Sequence, residues 1–257
     1  MKNLKTSLFL TTHNWPDALA LCLKSILAQT VLPNEIIVAD DGSTNDTKEL
    51  IDEFRRISPI PIEHIWIEDK GYRINVIRNL AIKAAKNPFI IQIDGDVILD
   101  KNFVKDHLKF AKPNRFNIGR RVRINKENTE KLCQKREISG LYYLRNYVLC
   151  LIHHYLIYSG KTVKGLRGCN VAYWKSDALK VNGYNEDMIG KGPEDKEFGA
   201  RVLNTGVGGF NLRNYAICFH LDHGDAGRVV DYQNLTNMYR HAVESGLTQI
   251  KNGIEKL

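Results

Sequence analysis

Cysteine is scarce in this chain of 257 residues, and the spacing of the few present excludes two kinds of stabilised fold. The cysteines are odd in number and scattered, so we expect neither a disulfide framework nor a zinc site with paired ligands. Reduced, buried thiols are the simplest account of all five: Cys22, Cys133, Cys150, Cys169 and Cys218. Repeats and low-complexity segments are also lacking, and at 43% hydrophobic residues the chain can bury a full core.

Long uninterrupted hydrophobic runs are lacking as well. Residues 138–158 are rich in Leu, Ile and Tyr and long enough for a span, but four polar residues exclude a transmembrane helix: Arg145, Asn146, His153 and His154. Two interpretations stay open, an amphipathic helix packed on the sheet and a contact with a membrane surface or lipid-linked acceptor. Residues 1–6 lead into a strand too short for a signal-peptide core. We therefore expect a cytoplasmic protein, and peripheral contact with the inner face of the membrane is compatible with this expectation.

Acidic residues are outnumbered by basic ones, which gives a formal net charge of +8. Such an excess favours contact with nucleic acid, an anionic membrane or an anionic substrate. No nucleic-acid-binding module is recognisable, so we do not expect a nucleic-acid partner. Eight basic residues crowd the stretch that precedes residue 138: Arg115, Arg120, Arg121, Arg123, Lys126, Lys131, Lys135 and Arg136.

Two carboxylates, Asp94 and Asp96, follow the apolar run at residues 89–93. That run predicts a buried parallel strand, and open α/β sheets bind their ligands at the carboxyl ends of such strands. Carboxylates at this spacing suit a divalent ion that also binds a diphosphate, because the metal offsets phosphate charge that the carboxylates would repel. A solvated acidic turn is the alternative interpretation.

The amino-terminal residues predict a strand, a helix and a second strand. Residues 7–10 and 35–39 are apolar and strand-like, and the segment between them has helical spacing. Right-handed crossovers make the strands parallel and bring both polar ends to one edge of the sheet. The residues after the second strand, Asp40 to Ser43, also suit a turn and a helix cap, and we expect both uses.

Five short motifs occur in order along roughly the first 110 residues: Thr11-Thr12-His13-Asn14, Gln29-Thr30, Asp40-Asp41-Gly42-Ser43, Arg78-Asn79 and Asp94-Gly95-Asp96. Taken together they resemble the nucleotide-sugar-binding half of inverting glycosyltransferase family 2, which has the GT-A fold. The order of five separate motifs makes this resemblance specific.

A second set of motifs follows: Gly168-Cys169-Asn170-Val171-Ala172, Asn182-Gly183-Tyr184-Asn185-Glu186, Gly190-Lys191-Gly192-Pro193-Glu194-Asp195, Phe198, Arg201 and His220-Leu221-Asp222-His223. This set is similar to the carboxyl-terminal region of galactosyltransferase-type enzymes, and to bacterial chondroitin-polymerase and lipopolysaccharide-core transferase domains. Residues 113–165 and those after about 225 match no motif that we can place.

The resemblance implies a role for each residue of the donor site. Thr11 and Asp41 would contact the nucleotide, with Asp41 accepting a hydrogen bond from the uracil. Arg73 and Arg78 would lie along the nucleotide sugar. Asp94 would face the ribose or the metal-bound diphosphate.

The resemblance also implies a metal site that begins at Asp96. His220 and His223 follow an apolar, strand-like run at the spacing of the metal ligands in galactosyltransferase-type enzymes, so either can complete the site. We favour His223, and a buried histidine bonded to a backbone carbonyl is the alternative. Imidazole with carboxylate and diphosphate oxygens suits Mn²⁺ better than Mg²⁺.

Asp195 is implied to be the general base and Glu194 to orient the acceptor sugar. The chemistry requires such a base, because an acceptor hydroxyl that attacks an anomeric carbon must lose a proton to a group within hydrogen-bond reach. The alternative is that these acids begin a helix, where negative charge is favoured. The two uses are compatible.

Three further residues bear on specificity. Lys191 stands where the galactosyltransferase-like motif usually has Trp, so it either reaches an anionic acceptor group or points into solvent. Asn170 is a predicted acceptor contact together with Lys191 and Glu194. His13 replaces a more usual aromatic residue and can still stack on a base.

The resemblance therefore predicts one α/β unit of GT-A fold, a mostly parallel twisted sheet flanked by helices. Residues 1–112 would form the nucleotide-sugar-binding half, 113–227 the acceptor-binding and catalytic half, and 228–257 a carboxyl-terminal helical segment. The expected activity is the transfer of a hexosyl or N-acetylhexosaminyl group from a UDP-sugar to a saccharide or lipid-linked saccharide. The transfer is expected to depend on a metal ion and to invert the anomeric centre. The rivals are a non-catalytic sugar-nucleotide-binding module and a nucleotidyltransferase, whose glycine- and lysine-rich loop is missing after the first strand.

Overall fold

The structure, a computed structural model, describes residues 4–138, 141, 152, 160–224 and 231–257. Strands and helices alternate from Thr6 to Asp94, and shorter elements follow. In chain order the described elements are β1 (Thr6–Thr12), α1 (Pro16–Leu27), β2 (Glu35–Asp40), α2 (Asn45–Ile57), β3 (Ile62–Trp66), α3 (Ile74–Ala84), β4 (Phe89–Asp94), β5 (Val97–Leu99), α4 (Phe103–Phe110), β6 (Arg115–Ile118), β7 (Arg120–Arg123), α5 (Lys126–Lys135), β8 (Asn170–Trp174), α6 (Lys175–Lys180), α7 (Glu194–Asn204), β9 (Gly208–Asn211), β10 (Ile217–His220) and α8 (Tyr232–Glu244).

The main sheet has seven strands in the order β3-β2-β1-β4-β8-β6-β9. β3, β2, β1 and β4 are parallel neighbours, whereas β8 is antiparallel to both β4 and β6. The parallel pairing brings the carboxyl ends of β1, β2 and β4 to one edge, as predicted from right-handed crossovers. The strand β8 also joins the two predicted halves of the chain into one continuous sheet.

Both faces of the sheet are covered, which explains why the central strands are apolar without alternation. Leu8 and Leu10 of β1 pack into one core with α1 and α2, while Phe9 packs into a second core with α3 and α7. Every residue of β1 and β2 is buried. This layered arrangement of helices on a mostly parallel sheet confirms the predicted fold class.

A smaller sheet closes the ligand-binding edge, with the strand order β5-β10-β7. β5 begins directly after Asp96, and β10 runs antiparallel to it with His220 opposite Val97. The backbone N–H of Leu221 donates a 3.0 Å hydrogen bond to the carbonyl of Asp96. The end of β10 is therefore held beside the second acid of the Asp94-Gly95-Asp96 motif.

Most of residues 138–158, for which two interpretations stayed open, lie outside the described residues. In the ranges that the structure does describe, no helix has the length and apolar character needed to cross a membrane. The helix α8 packs its buried residues Leu235 and Ala242 toward α7.

Candidate active site

An open cleft of about 1400 Å³ lies at the carboxyl ends of the parallel strands. β1, β2 and β4 form one side, and the small sheet with the start of α7 forms the other. The cleft brings together all of the sequence-predicted site residues except Arg73 and Asn170: Thr11, His13, Asp41, Arg78, Asp94, Asp96, Lys191, Glu194, Asp195, His220 and His223.

The pairing of β1 with β4 places Thr11 opposite Asp94. The Thr11 hydroxyl donates a 2.9 Å hydrogen bond to Asp94 Oδ1, and the N–H of Gly95 donates to the Thr11 carbonyl at 2.7 Å. The Asp94 side chain is 27% exposed. Its carboxylate is thus fixed in direction yet open to the cleft.

Asp41 presents a buried carboxylate oxygen that lacks a partner. Its Oδ2 accepts a 2.9 Å hydrogen bond from the backbone N–H of Arg73, whereas Oδ1 has no hydrogen-bond partner among the described residues. Burial raises the pKa of Asp41 above its usual range. Gly42 has a φ of +92°, and a Cβ there would overlap the backbone of Asp69, so only glycine allows this packing. A buried free acceptor suits a ligand N–H, such as that of a nucleotide base.

His13 and Arg73 both support Asp41 through backbone contacts. His13 Nδ1 donates a 2.9 Å hydrogen bond to the Asp41 carbonyl, and the ring is exposed at the cleft. The Arg73 guanidinium instead donates to the carbonyl of Glu68. The structure therefore does not bring the Arg73 side chain along the cleft, where the resemblance implied it, because the guanidinium is bonded to Glu68 instead.

Asp96, His220 and His223 converge at the other end of the cleft. The Nε2 atoms of both histidines lie 3.6 Å from Asp96 Oδ2. One ligand atom from each of the three residues fits within a span of 4.8 Å. A gap of 3.6 Å is too long for a good hydrogen bond, whereas a carboxylate with two imidazoles is a common ligand set for a transition metal.

Hydrogen bonds around the cluster leave its ligand atoms available. His220 Nδ1 donates to the Leu221 carbonyl at 2.7 Å, so in neutral His220 the lone pair of Nε2 faces Asp96. Asp96 Oδ1 is buried and has no hydrogen-bond partner in the described part of the chain. Burial raises the pKa of Asp96 to about 6, although the two histidines oppose this. An orphaned carboxylate oxygen beside two imidazoles fits a divalent cation.

Arg78 lies buried between the acids of the two chain halves. Its guanidinium is 2.9 Å from Asp195, and 3.6 Å from both Asp94 and Glu194. The guanidinium also lies 5.0 Å from the centre of the Tyr184 ring. A buried cation needs such compensation. Arg78 thus fixes the position of Asp195 relative to the strand that bears Asp94.

Asp195 is held by donors at both oxygens. Its Oδ1 accepts from Arg78 at 2.9 Å, and its Oδ2 accepts from the backbone N–H of Gly168 at 2.7 Å. A Cβ on Gly168 would overlap both the Arg78 guanidinium and Asp195 Oδ1, so a side chain is excluded there. The Asp195 side chain remains 20% exposed toward the cleft. The Tyr184 hydroxyl lies 3.5 Å from Oδ1 as a second donor, whereas Oδ2 retains a further lone pair for a substrate hydroxyl.

Glu194 is the more buried acid of the pair at the start of α7. Burial, with the neighbouring negative charge of Asp195, raises the pKa of Glu194 to about 7. Its Oε2 accepts a 3.1 Å hydrogen bond from the N–H of Gly192. Both acids lie in the first turn of α7, so the helix-start interpretation holds together with the cleft position.

Lys191 lies in the cleft, but Asn170 does not. The Asn170 side chain is buried in the sheet, where its amide donates to the Ala216 carbonyl at 2.8 Å and its oxygen bonds to His107 at 3.0 Å. The structure therefore corrects the predicted acceptor contact of Asn170. The residue occupies a strand position that faces α4 instead of the ligand.

Sequence reasoning missed several residues of the cleft, among them Tyr72, Arg121, Arg123 and Arg167. Burial raises the pKa of Tyr72, whose hydroxyl lies near the acids around Arg78. Arg121 and Arg123 belong to the basic stretch that precedes residue 138, and their position in the cleft was not predicted. Arg167 directly precedes the Gly168 motif, and that adjacency was the signal that could have revealed it.

Family comparisons agree with this geometry. Residues 7–164 match glycosyl transferase family 2, and because this is more than half of the chain, the chain belongs to that family. Residues 157–224 match a second family, described as the N-terminal domain of galactosyltransferase. The resemblance inferred from the motifs is confirmed, and the nucleotidyltransferase alternative is wrong.

Curated relatives are longer proteins. The chondroitin synthase of Escherichia coli is 27% identical over an alignment of 228 residues, and the match covers 78% of this chain and 32% of that relative. The chondroitin synthase of Pasteurella multocida is 24% identical over an alignment of 241 residues, and the match covers 80% of this chain and 23% of that relative. The chain thus spans about a third or less of the length of these curated relatives.

Solved structures share the fold at low sequence identity. Staphylococcus aureus TarS 1-349 in complex with UDP-GlcNAc has a TM-score of 0.66 and 16% identity, over 93% of this chain and 66% of that one. The mannosyltransferase PcManGT from Pyrobaculum calidifontis, in complex with GDP-Man and Mn²⁺, has a TM-score of 0.61 and 14% identity, over 93% of this chain and 61% of that one. With the family assignment, these similarities confirm the predicted GT-A fold.

Proposed function

We propose that this chain transfers a sugar from a UDP-sugar to a saccharide hydroxyl, in a metal-dependent reaction that inverts the anomeric centre. The reaction would belong to bacterial surface polysaccharide or lipopolysaccharide synthesis. One observation carries the proposal: the Asp195 carboxylate and the cluster of Asp96, His220 and His223 face the same cleft. A base and an ion site on one cleft are the two groups that this reaction class needs.

The donor is proposed to bind along the edge formed by β1, β2 and β4. The unpartnered oxygen of Asp41 would accept a hydrogen bond from the base, and His13 would stack against it. Thr11 and Asp94 would contact the ribose or diphosphate. A UDP-sugar is favoured because the TarS structures contain UDP-GlcNAc or UDP and because chondroitin synthases are relatives.

Asp96 and one or both histidines would hold a divalent ion, which would supply Lewis-acid stabilisation of the leaving diphosphate. Mn²⁺ is favoured over Mg²⁺ by the imidazole nitrogens, and PcManGT was solved with Mn²⁺. The Mn²⁺ affinity of the single variants His220→Ala and His223→Ala, measured by calorimetry, shows which histidine binds the ion, because loss of a ligand lowers that affinity. Unchanged affinity in both variants would remove the histidines from the proposed site.

Asp195 is proposed to accept the proton of the attacking hydroxyl, with Glu194 and Lys191 positioning the acceptor. Arg78 and the N–H of Gly168 hold the carboxylate in place without covering it. A single displacement with the base on the face opposite the leaving group gives inversion. Residues 113–227 would thus form the acceptor half that carries the base, and the donor would bind to residues 1–112. Residues 228–257 would support α7.

The proposal is tested in two stages. Thermal-shift screening with UDP-, GDP- and dTDP-sugars, with and without Mn²⁺, should show a metal-dependent rise in melting temperature for the UDP-sugars. Transfer to saccharide acceptors should then give a product of opposite anomeric configuration by NMR. Donor binding without transfer to any acceptor would favour a binding module, and a retained configuration would refute the direct displacement.

We further propose that the protein works in the cytoplasm with peripheral contact at a membrane, through residues 115–158. Within this stretch the described helix α5 carries the exposed lysines Lys126, Lys131 and Lys135. Each basic residue near an anionic surface adds about 1 kcal/mol of salt-sensitive attraction.

A further inference from the structure

Three arginines line the side of the cleft that faces the donor edge. β7 pairs in parallel with β10, with Arg121 opposite Cys218 and Arg123 opposite His220. Residues opposite each other in a ladder share one face, so Arg121 and Arg123 lie on the face from which His220 reaches Asp96. Val122, between them, points the other way and packs in the core beneath the small sheet.

Arg167 extends this basic surface toward the base. It directly precedes Gly168, whose N–H holds Asp195. Arg121, Arg123 and Arg167 all line the same cleft, and burial together with the like charges of Arg121 and Arg123 lowers the pKa of Arg167. The three residues, which we call the arginine triad, therefore run from the cluster at Asp96 to the carboxylate of Asp195.

Within the part of the chain that the structure describes, the arginine triad differs from Arg78 in its lack of ion-pair partners. Among the residues that the structure describes, no ion pair is recorded for Arg121, Arg123 or Arg167, whereas Arg78 in the same cleft has three carboxylates around it. The donor does not supply the missing charge either, because a divalent ion would offset the two charges of a nucleotide-sugar diphosphate. Clustered arginines that form no ion pair with a described acid indicate a site that is completed by an anionic ligand.

We propose that the arginine triad binds an anionic group of the acceptor, a carboxylate or a phosphate, so that the acceptor of this enzyme is an acidic saccharide. This inference rests on the proposed function, since it takes Asp195 as the base. The acceptor hydroxyl must lie at Asp195, whose carboxylate is bonded to Gly168, the residue after Arg167, and Lys191 lies in the same cleft. Guanidinium groups match the planar, bidentate geometry of carboxylate and phosphate. The concave position of the triad suits a saccharide chain, whereas a lipid surface is flat.

The test compares acidic and neutral saccharides on the full chain in the presence of UDP and Mn²⁺. The ligands are a chondroitin hexasaccharide, the same hexasaccharide with its carboxyl groups reduced to alcohols, and a phosphomannan oligosaccharide. Calorimetry should show that at least one acidic ligand binds about tenfold or more tightly than the reduced one, the size expected for charge-assisted hydrogen bonds. The two acidic ligands distinguish uronate from phosphate.

Replacing Arg121, Arg123 or Arg167 singly by glutamine should lower the affinity for the preferred acidic ligand by about tenfold or more and leave the affinity for UDP unchanged. Arg56→Gln is the matched control, because Arg56 is an exposed arginine of α2 outside the cleft. Equal binding of acidic and reduced ligands would overturn the inference while leaving UDP binding, and thus the proposed function, intact. A loss of UDP affinity in the variants would assign the triad to the diphosphate, and a loss of binding only to anionic vesicles would assign it to a membrane. Either result overturns the acceptor assignment.

Discussion

Replacing Asp195 with Asn separates a catalytic base from a structural acid. The substitution keeps the shape of the side chain and removes its basicity. A positioned general base contributes at least about 100-fold, which corresponds to about 2.7 kcal/mol of transition-state stabilisation. We therefore expect kcat to fall by about 100-fold or more while the affinity for UDP and Mn²⁺ stays unchanged, because Asp195 lies apart from the cluster at Asp96.

The structure also predicts a stability cost for this variant. Both oxygens of Asp195 accept from N–H groups, at 2.9 Å from Arg78 and 2.7 Å from Gly168. Asparagine has one oxygen, so its amide group must face one of these two donors. An unsatisfied buried donor costs about 1–3 kcal/mol, and we expect the melting temperature to drop by roughly 2–10 °C.

The assays are single-turnover transfer, UDP calorimetry and thermal unfolding, all on the same preparations. Asp46→Asn serves as the control, since Asp46 is an exposed acid in the first turn of α2, away from the cleft. Its transfer rate should equal that of the unmodified chain. A variant with Asn at 195 that transfers at the normal rate would refute the assignment of the base, and a normal melting temperature would refute the stated hydrogen-bond geometry.

Four further outcomes follow from the site. The raised pKa of Glu194 means that folding favours its neutral form, so its contribution to stability is full below about pH 4.5 and is lost as the pH rises through about 7. Glu194→Gln should therefore be more stable than the unmodified chain at pH 8, by up to about 3 kcal/mol in urea unfolding. At pH 4.5 the two proteins should be nearly equal in stability. Asp96→Ala should abolish the Mn²⁺-dependent part of UDP binding in calorimetry, and unchanged metal-dependent binding would exclude Asp96 as a ligand. Gly168→Ala should displace Arg78 and Asp195 and reduce kcat strongly, whereas Gly208→Ala, where a Cβ meets only ordinary contacts, should leave kcat unchanged. If residues 115–158 contact a membrane, the protein should co-sediment with anionic vesicles more than with neutral ones, and this binding should weaken as salt is added. Equal partitioning onto both kinds of vesicle would refute the membrane contact.

The sequence alone was sufficient for the architecture and for the ends of the strands. The apolar runs before Asp41 and Asp94 predicted buried parallel strands, and crossover handedness then required their polar ends to meet. The order of the motifs was enough to predict the family. These inferences succeed because they depend on local periodicity and on chain connectivity, both of which are properties of the sequence.

Only the tertiary structure decided which side chains face the cleft. Asn170 belongs to the second set of motifs, yet its strand is flanked by β4 and β6, and this pairing buries its amide beside His107. Arg73 reaches Asp41 by its backbone, so its side chain points elsewhere. Side-chain direction in a loop or on a short strand follows from what packs against it, and the sequence does not contain that information locally.

The arginine triad and the bridge made by Arg78 have the same origin. Arg123 lies opposite His220, and Arg121 opposite Cys218, because β7 pairs with β10 in one particular register, across almost a hundred residues of chain. Arg78 meets Asp195 because α3 and α7 pack on the same face of the sheet. The sequence determined which chemical groups are present and which strand ends bear them, whereas long-range pairing decided their neighbours, because strand register and helix packing are fixed only when the whole core assembles.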